Sequence, residues 1–208
     1  MLQTPPESAV ILFDGKDLNN WTGRDGGEAK WEVHADYMTV VPRTGDISSK
    51  ETFTDHFLHV EFMCPDMPEA SGQAKGNSGV FLQGRYEIQV LDSYGIEVPG
   101  KGDCGAIYNQ FAALVNACKP PLEWQTYDVV FRAPRFNDAG EMTENVRVTA
   151  IQNGLVILNN VQLPGTTAGG AGSDLAKPGP LRLQDHGNLV QYRNIWAVHL
   201  PFEGSDQY

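Results

Sequence analysis

What the 208-residue chain lacks already narrows its chemistry. No run of about 18 apolar residues occurs, so none of it is expected to span a bilayer as a helix. Lysine and arginine are scarce, 15 against 26 aspartates and glutamates, and nowhere clustered. At a net charge of −11, nucleic acid and anionic membranes are poor partners, because phosphate binding needs concentrated positive charge. The three cysteines, Cys64, Cys104 and Cys118, include no C-x-x-C pair and no histidine at finger spacing, which argues against structural zinc. They cannot all pair within one chain; a Cys104–Cys118 bridge and buried thiols are both open readings. His34, His56, His59, His186 and His199 form no H-x-H or H-E-x-x-H pattern. A G-x-S-x-G elbow and a P-loop are missing, which disfavours serine-hydrolase chemistry and nucleotide phosphate binding. No metal site or cofactor is therefore expected, although an oxygen-ligated cation such as calcium leaves little trace in sequence. The opening Met1-Leu-Gln-Thr-Pro-Pro-Glu7 has neither the charged nor the apolar region of a signal peptide. It reads as an added methionine or the beginning of a mature segment.

What is abundant is turn chemistry. With 22 glycines and 13 prolines, the chain exceeds the roughly 12% combined share of average proteins, which favours many turns over a helical bundle. Between the turns, short segments alternate. Leu58, Val60 and Phe62 oppose His59 and Glu61; Tyr86, Ile88 and Val90 oppose Arg85, Glu87 and Gln89. Tyr127, Val129 and Phe131 oppose Asp128, Val130 and Arg132; Val146–Ala150 repeats the pattern, and Leu181 and Leu183 oppose Arg182 and Gln184. Ile195–Val198 reads as a last, more apolar strand. Period-two segments of four to eight residues separated by Gly, Pro, Asn and Asp predict an all-β antiparallel sandwich or barrel. No interdomain linker or fixed-period repeat interrupts it, so residues 9–202 read as a single domain. Gln110–Ala117 is the one helix-like window, short and uncapped. Residues 164–180 read as a long Gly/Ala/Ser-rich loop, suited to bordering a site.

The densest polar constellation runs from Gly76 to Tyr94, two strands meeting at Gly84. The second strand presents Arg85, Glu87 and Gln89 in a row, at about 7 Å per two residues, a spacing suited to sugar hydroxyls. A β-bulge near Leu91 would return Asp92 to the side of Glu87, letting one carboxyl hold a proton while the other stays ionised. The alternative is an exposed face whose charges simply meet water. His186 follows a strand whose polar face carries Arg182 and Gln184, a position suited to acid/base work or to ordinary solvation. Of the aromatics, one or two of Trp21, Trp31, Trp124, Trp196, Tyr94, Tyr108 and Tyr127 would stack on a sugar; Trp196 and Trp21 read as core.

Taken together, the motifs resemble those of the 3-keto-disaccharide hydrolase domain family. The entry Leu12-Phe-Asp-Gly-Lys-Asp-Leu-Asn-Asn-Trp21 is similar, and so are Gly76-Asn-Ser-Gly79 and Tyr86-Glu-Ile-Gln-Val-Leu-Asp92. Gly105-Ala-Ile-Tyr108, Asn116 with Lys119-Pro-Pro, Glu123-Trp-Gln-Thr-Tyr-Asp128, Leu183-Gln-Asp-His-Gly187 and Arg193-Asn-Ile-Trp196 continue the match in order. The resemblance implies a concanavalin A-like, laminarinase-like jelly roll with its site on a concave face. It also implies a secreted or periplasmic protein acting on carbohydrate. Laminarinase-type glucanases carry Glu-x-Asp-x-x-Glu on a bulged strand; here the string reads Glu87-x-Gln89-x-x-Asp92. With the central acid an amide and the last one shortened, ordinary retaining chemistry, which needs carboxyls roughly 5 Å apart, is weakened. A 3-keto-glycoside offers another route: Glu87 removes the C2 proton, His186 or Asp92 protonates the leaving oxygen, and Arg85 or Gln89 steadies the enolate. Asn77, Tyr108, Gln184 and Trp124 complete the expected substrate contacts. A non-catalytic carbohydrate-binding module and an ordinary endo-glycosidase are the competing expectations.

Overall fold

Strands form where the alternation predicts them, and the apolar side of each turns inward. A computed structural model of the chain describes residues 3–201. The reading of Met1, and Phe202 at the end of the expected domain, lie outside the described residues. The larger sheet holds β1 (Val10–Phe13), β3 (Glu32–Val33), β4 (Met38–Thr39), β6 (His56–Met63), β9 (Gln125–Arg132), β12 (Arg147–Gln152), β13 (Leu155–Gln162) and β15 (Gln191–His199). The smaller holds β2 (Trp21–Gly23), β5 (Ile47–Phe53), β7 (Ser78–Leu82), β8 (Tyr86–Val90) and β14 (Gly179–Leu183) in the order β2-β5-β14-β7-β8. A separate hairpin pairs β10 (Arg135–Phe136) with β11 (Met142–Glu144). All pairings are antiparallel, and the architecture is the expected all-β jelly-roll sandwich.

One apolar core separates the two sheets. Leu58, Val60 and Phe62 of β6 and Tyr127, Val129 and Phe131 of β9 meet Val80, Leu82, Tyr86, Ile88, Val90, Leu181 and Leu183 from the smaller sheet. Each such side chain contributes roughly 1.5–3 kcal/mol by leaving water. Trp21 joins this core, its indole N–H donating to the Leu12 carbonyl at 2.9 Å. Trp196 is buried on the other side of the larger sheet, stacked on His59 with ring centroids 5.0 Å apart. The short, uncapped helix-like window Gln110–Ala117 forms no helix. Its polar side chains serve the loops instead: Gln110 donates to the carbonyls of Gly165 and Thr166, and Asn116 to those of Ser93 and Ile96. Without a capping side chain, nothing favours helix over these longer-range bonds.

Two local devices position the site. β7 and β8 are joined at Gln83-Gly84, both with positive φ (51° and 66°), the tight-turn geometry that matches strand twist. β8 ends the smaller sheet, and its outer backbone groups are met by a loop rather than a strand. Gln89 N–H donates to the Ala106 carbonyl, while Gly105 and Tyr108 N–H donate to the carbonyls of Gln89 and Glu87. The glycine spacing Gly100-x-Gly102-x-x-Gly105 in this loop leads into no helix, so it lacks the context of a dinucleotide fingerprint.

Candidate functional site

The outward face of the smaller sheet is built in rows set by register. Glu87 of β8 stands opposite Phe81 of β7, Phe81 opposite Arg182 of β14, and Arg182 opposite Ser48 of β5. The next row runs from Gln89 to Gly79, whose carbonyl accepts from Gln184 N–H at 3.0 Å. Gly79 has no side chain where one would collide with the carboxylate: a Cβ there would lie 2.4 Å from Glu87 Oε1.

Above these rows Gln73, Asn77, Glu87, Gln89, Tyr108, Ala168, Gly169, Gln184 and His186 enclose a cavity of about 200 Å³. Glu87 is 4% exposed, and its carboxylate takes no hydrogen bond from the described residues. Burial pushes it up to about 7; Arg182 opposes that shift and Asp46 adds to it. It is the one carboxylate among the described residues lining this cavity. Gln89 donates to Gln73 Oε1 at 2.9 Å, leaving its own buried Oε1 without a partner. Asn77 is anchored by donating to the Gln73 carbonyl at 2.7 Å. His186 is exposed at the opposite wall, on a turn held by its neighbours: Asp185 accepts from Gly45 and Gly187 N–H, and Asn188 accepts from Asn77 N–H.

Glu87, Gln89, Asn77, Tyr108, Gln184 and His186 are thus brought together as the sequence suggests. Three expected residues are not. The ladder ends at Val90 with no bulge at Leu91, and Asp92 turns to form an ion pair with Lys75 at 2.9 Å, outside the cavity lining. Trp124 has the parity of Asp128, which sends it to the outward face of the larger sheet, across the sandwich from Glu87. There the Arg193 guanidinium covers its ring at 4.0 Å. Arg85 lines an adjoining cavity and donates to Gln83 Oε1 and to the carbonyls of Lys177 and Asp174. The long loop borders the site as expected, through Ala168 and Gly169. Gln73 has no signal in the sequence, because nothing local marks a loop residue that arrives from elsewhere in the chain.

A second polar cluster sits around Arg193. Buried His59 faces Asp128 at 2.7 Å and Glu61 at 3.6 Å, and Arg193 bonds Glu61 at 2.7 Å. Burial works against charge on His59, but the two carboxylates raise its pKa above the ordinary value. Cys104 and Cys118 are free thiols here, sharing Gln152 Nε2 at 3.5 Å each. No group of three or more His, Cys, Asp or Glu among the described residues is placed to hold a metal ion. No helix among them is long and apolar enough to cross a membrane.

Comparison with known proteins supplies the class. Residues 8–198 match the model of the 3-keto-alpha-glucoside-1,2-lyase-like domain. A candidate glycosyl hydrolase from Parabacteroides distasonis ATCC 8503 is 42% identical, with a TM-score of 0.86 over 95% of this chain and 86% of that one. A second from the same organism is 19% identical, with a TM-score of 0.67 over 94% and 95% of the two chains, a likeness of fold. The exoplasmic/lumenal domain of VIP36, bound to Ca2+ and Man3GlcNAc, is 8% identical with a TM-score of 0.50 over 97% and 92%, again a likeness of fold. Among curated proteins no sequence matches. Fold and relatives together define a glycosyl hydrolase-like, carbohydrate-active protein on a jelly roll. The chain belongs to the 3-keto-disaccharide hydrolase family, the 3-keto-alpha-glucoside-1,2-lyase-like domain.

Proposed function

We propose that the protein cleaves the glycosidic bond of 3-keto-glycosides, with residues 9–202 acting as one domain. The observation that carries this reading is Glu87: a buried, unpaired carboxylate with a pKa near 7, facing a cavity it shares with His186. A group poised near neutrality is suited to taking and returning a proton. The 3-keto group acidifies the C2 hydrogen. Glu87 takes that proton, the electrons pass to the C3 oxygen as an enolate, and C1=C2 forms as the C1–O bond breaks. His186 protonates the departing oxygen. Water then adds at C1 and gives a proton back to His186, while Glu87 returns its proton to C2, completing hydrolysis; release before this step makes the reaction a lyase. Both amide N–H groups of Gln89 are engaged, by Gln73 Oε1 and the Gly102 carbonyl, so its bare Oε1 accepts from a sugar hydroxyl rather than steadying the enolate, and Asn77, Tyr108 and Gln184 hold further hydroxyls. The lone carboxylate in the cavity favours this route over a two-carboxylate glycosidase, which requires a partner acid.

Incubation with 3-keto-glucosides in D2O is expected to release the aglycone and to place deuterium at C2 of product or recovered substrate. Cleavage of unoxidised glycans would point to an ordinary glycosidase, and binding with no cleavage to a carbohydrate-binding module. The reading assigns every proton transfer to side chains and no resident cofactor, so prior treatment with EDTA is expected to leave the rate unchanged. Loss of activity restored by a divalent cation would add a metal to the site. The family likeness also supports a secreted or periplasmic setting, where such sugars are met.

A further inference from the structure

Gly169 and Gln184 line both the Glu87 cavity and a larger one of about 710 Å³ beside it. In a chain of net charge −11, three guanidinium groups, Arg24, Arg85 and Arg182, line it with one carboxylate, Asp46. Arg182 lies 3.9 Å over the Phe81 ring and donates to the Gly169 carbonyl at 2.6 Å. Its Nε, 3.6 Å from Asp46, is buried without a hydrogen bond. Arg85 is 6% exposed; its hydrogen-bond acceptors among the described residues are all neutral oxygens, the Asp174 carboxylate acts on it only through space, and its Nε is likewise buried and bare. Arg24, at the rim, is exposed and in no ion pair with a described residue. Burial lowers the pKa of Arg182, a measure of how poorly its charge is solvated. Buried guanidinium groups are ordinarily matched by anions, since desolvated charge is costly when unpaired.

We propose that this larger cavity receives an oxyanion carried by the sugar unit adjoining the one that is cleaved, a uronate carboxylate or a sulfate ester. The inference rests on the preceding reading in placing the reacting ring beside Glu87. Row geometry supports the placement. The Arg182 backbone stands two strands from Glu87 in the same row, and its guanidinium reaches back over the buried Phe81 ring that lies between them. A disaccharide lying along that row would put one ring over Glu87 and a substituent of the next against Arg182 and Arg24. The planar fork of Arg182 is suited to a carboxylate or sulfate and would replace the incomplete pairing with Asp46.

Titration calorimetry of the full chain tests this with three disaccharides identical except at one C6, present as the hydroxymethyl, the carboxylate or the 6-O-sulfate. One or both anions are expected to bind about tenfold more tightly than the neutral sugar. The advantage is expected to shrink with added salt and in Arg182→Gln and Arg24→Gln. Whether carboxylate or sulfate binds more tightly distinguishes the two sources. Equal affinities for all three sugars, or an anion preference that survives both substitutions, would overturn the proposal. Arg24 is exposed, so Arg24→Gln keeps the test open even where Arg182→Gln does not fold. The titration reads binding without turnover. Failure to cleave 3-keto-glucosides would remove the proposed reaction and leave the charge preference measurable, whereas cleavage with no charge preference would remove this inference alone.

Discussion

Glu87→Gln is expected to lower kcat on a 3-keto-glucoside by about a thousandfold and, at the same time, to stabilise the protein at pH 8. The two effects share one cause. Burial holds the folded-state pKa of Glu87 near 7, above its ordinary value of 4.5, so the folded protein binds that proton more tightly than the unfolded chain. The group therefore supports folding at low pH, and that contribution is lost as pH rises through the window from 4.5 to 7. At pH 8 the ionised, unpaired carboxylate costs on the order of 3 kcal/mol, which the neutral amide does not. The variant should melt several degrees higher at pH 8, and the difference should nearly vanish by pH 4.5. The acid limb of the wild-type rate profile should rise with pH as Glu87 ionises near 7. Thermal melts and initial rates across pH 4.5–8 check both halves. A fully active Glu87→Gln enzyme would remove Glu87 as the base, and an unchanged melting temperature would mean its charge is compensated.

The second large effect is expected at a residue with no side chain. In Gly79→Ala the new methyl would meet Glu87 Oε1 at 2.4 Å and its Cγ and Cδ at 3.1 Å, so the carboxylate must swing aside. The backbone at Gly79 is ordinary strand, and the atoms displaced belong to a flexible side chain, so the fold should tolerate the change with little loss of stability. Activity should not: displacement of the base by about 1 Å or more is expected to cut kcat roughly a hundredfold. The decisive comparison is the double variant. If Gly79 acts by positioning Glu87, adding Gly79→Ala to Glu87→Gln should cost little further activity. Full independent losses in the cycle would assign Gly79 a role apart from Glu87.

The alternation in the sequence carried the sandwich because burial on one face leaves a period of two. Tyr86, Ile88 and Val90 point inward, so Glu87 and Gln89 had to point out together. The same rule, applied from Tyr127, Val129 and Phe131, puts Trp124 on the far face. Its place in a family-like motif drew it wrongly toward the sugar. Asp92 failed for a different reason: returning it to the side of Glu87 required a bulge, which leaves no local trace, and the strand stops at Val90. Arg85 has the parity of Glu87, but its position at the tight turn carries it past Glu87's cavity into the next. The walls of the site, Gln73, Gly169 and the tyrosine-bearing loop, depend on contacts between segments far apart in sequence, which no periodicity encodes.

The loop that meets the outer edge of β8 has a consequence for the protein's colloidal behaviour. An uncovered terminal strand presents a row of N–H and C=O groups that another chain can extend by pairing. Here Gly105, Ala106 and Tyr108 occupy that row, and Tyr108 also walls the reaction chamber. The hydrogen bonds that complete the site therefore also block edge-to-edge aggregation. Changes in the 100–108 loop that loosen its docking would open the chamber and expose an adhesive edge in the same step. That couples solubility to an intact site and restricts sequence drift in a segment that would otherwise be free to vary.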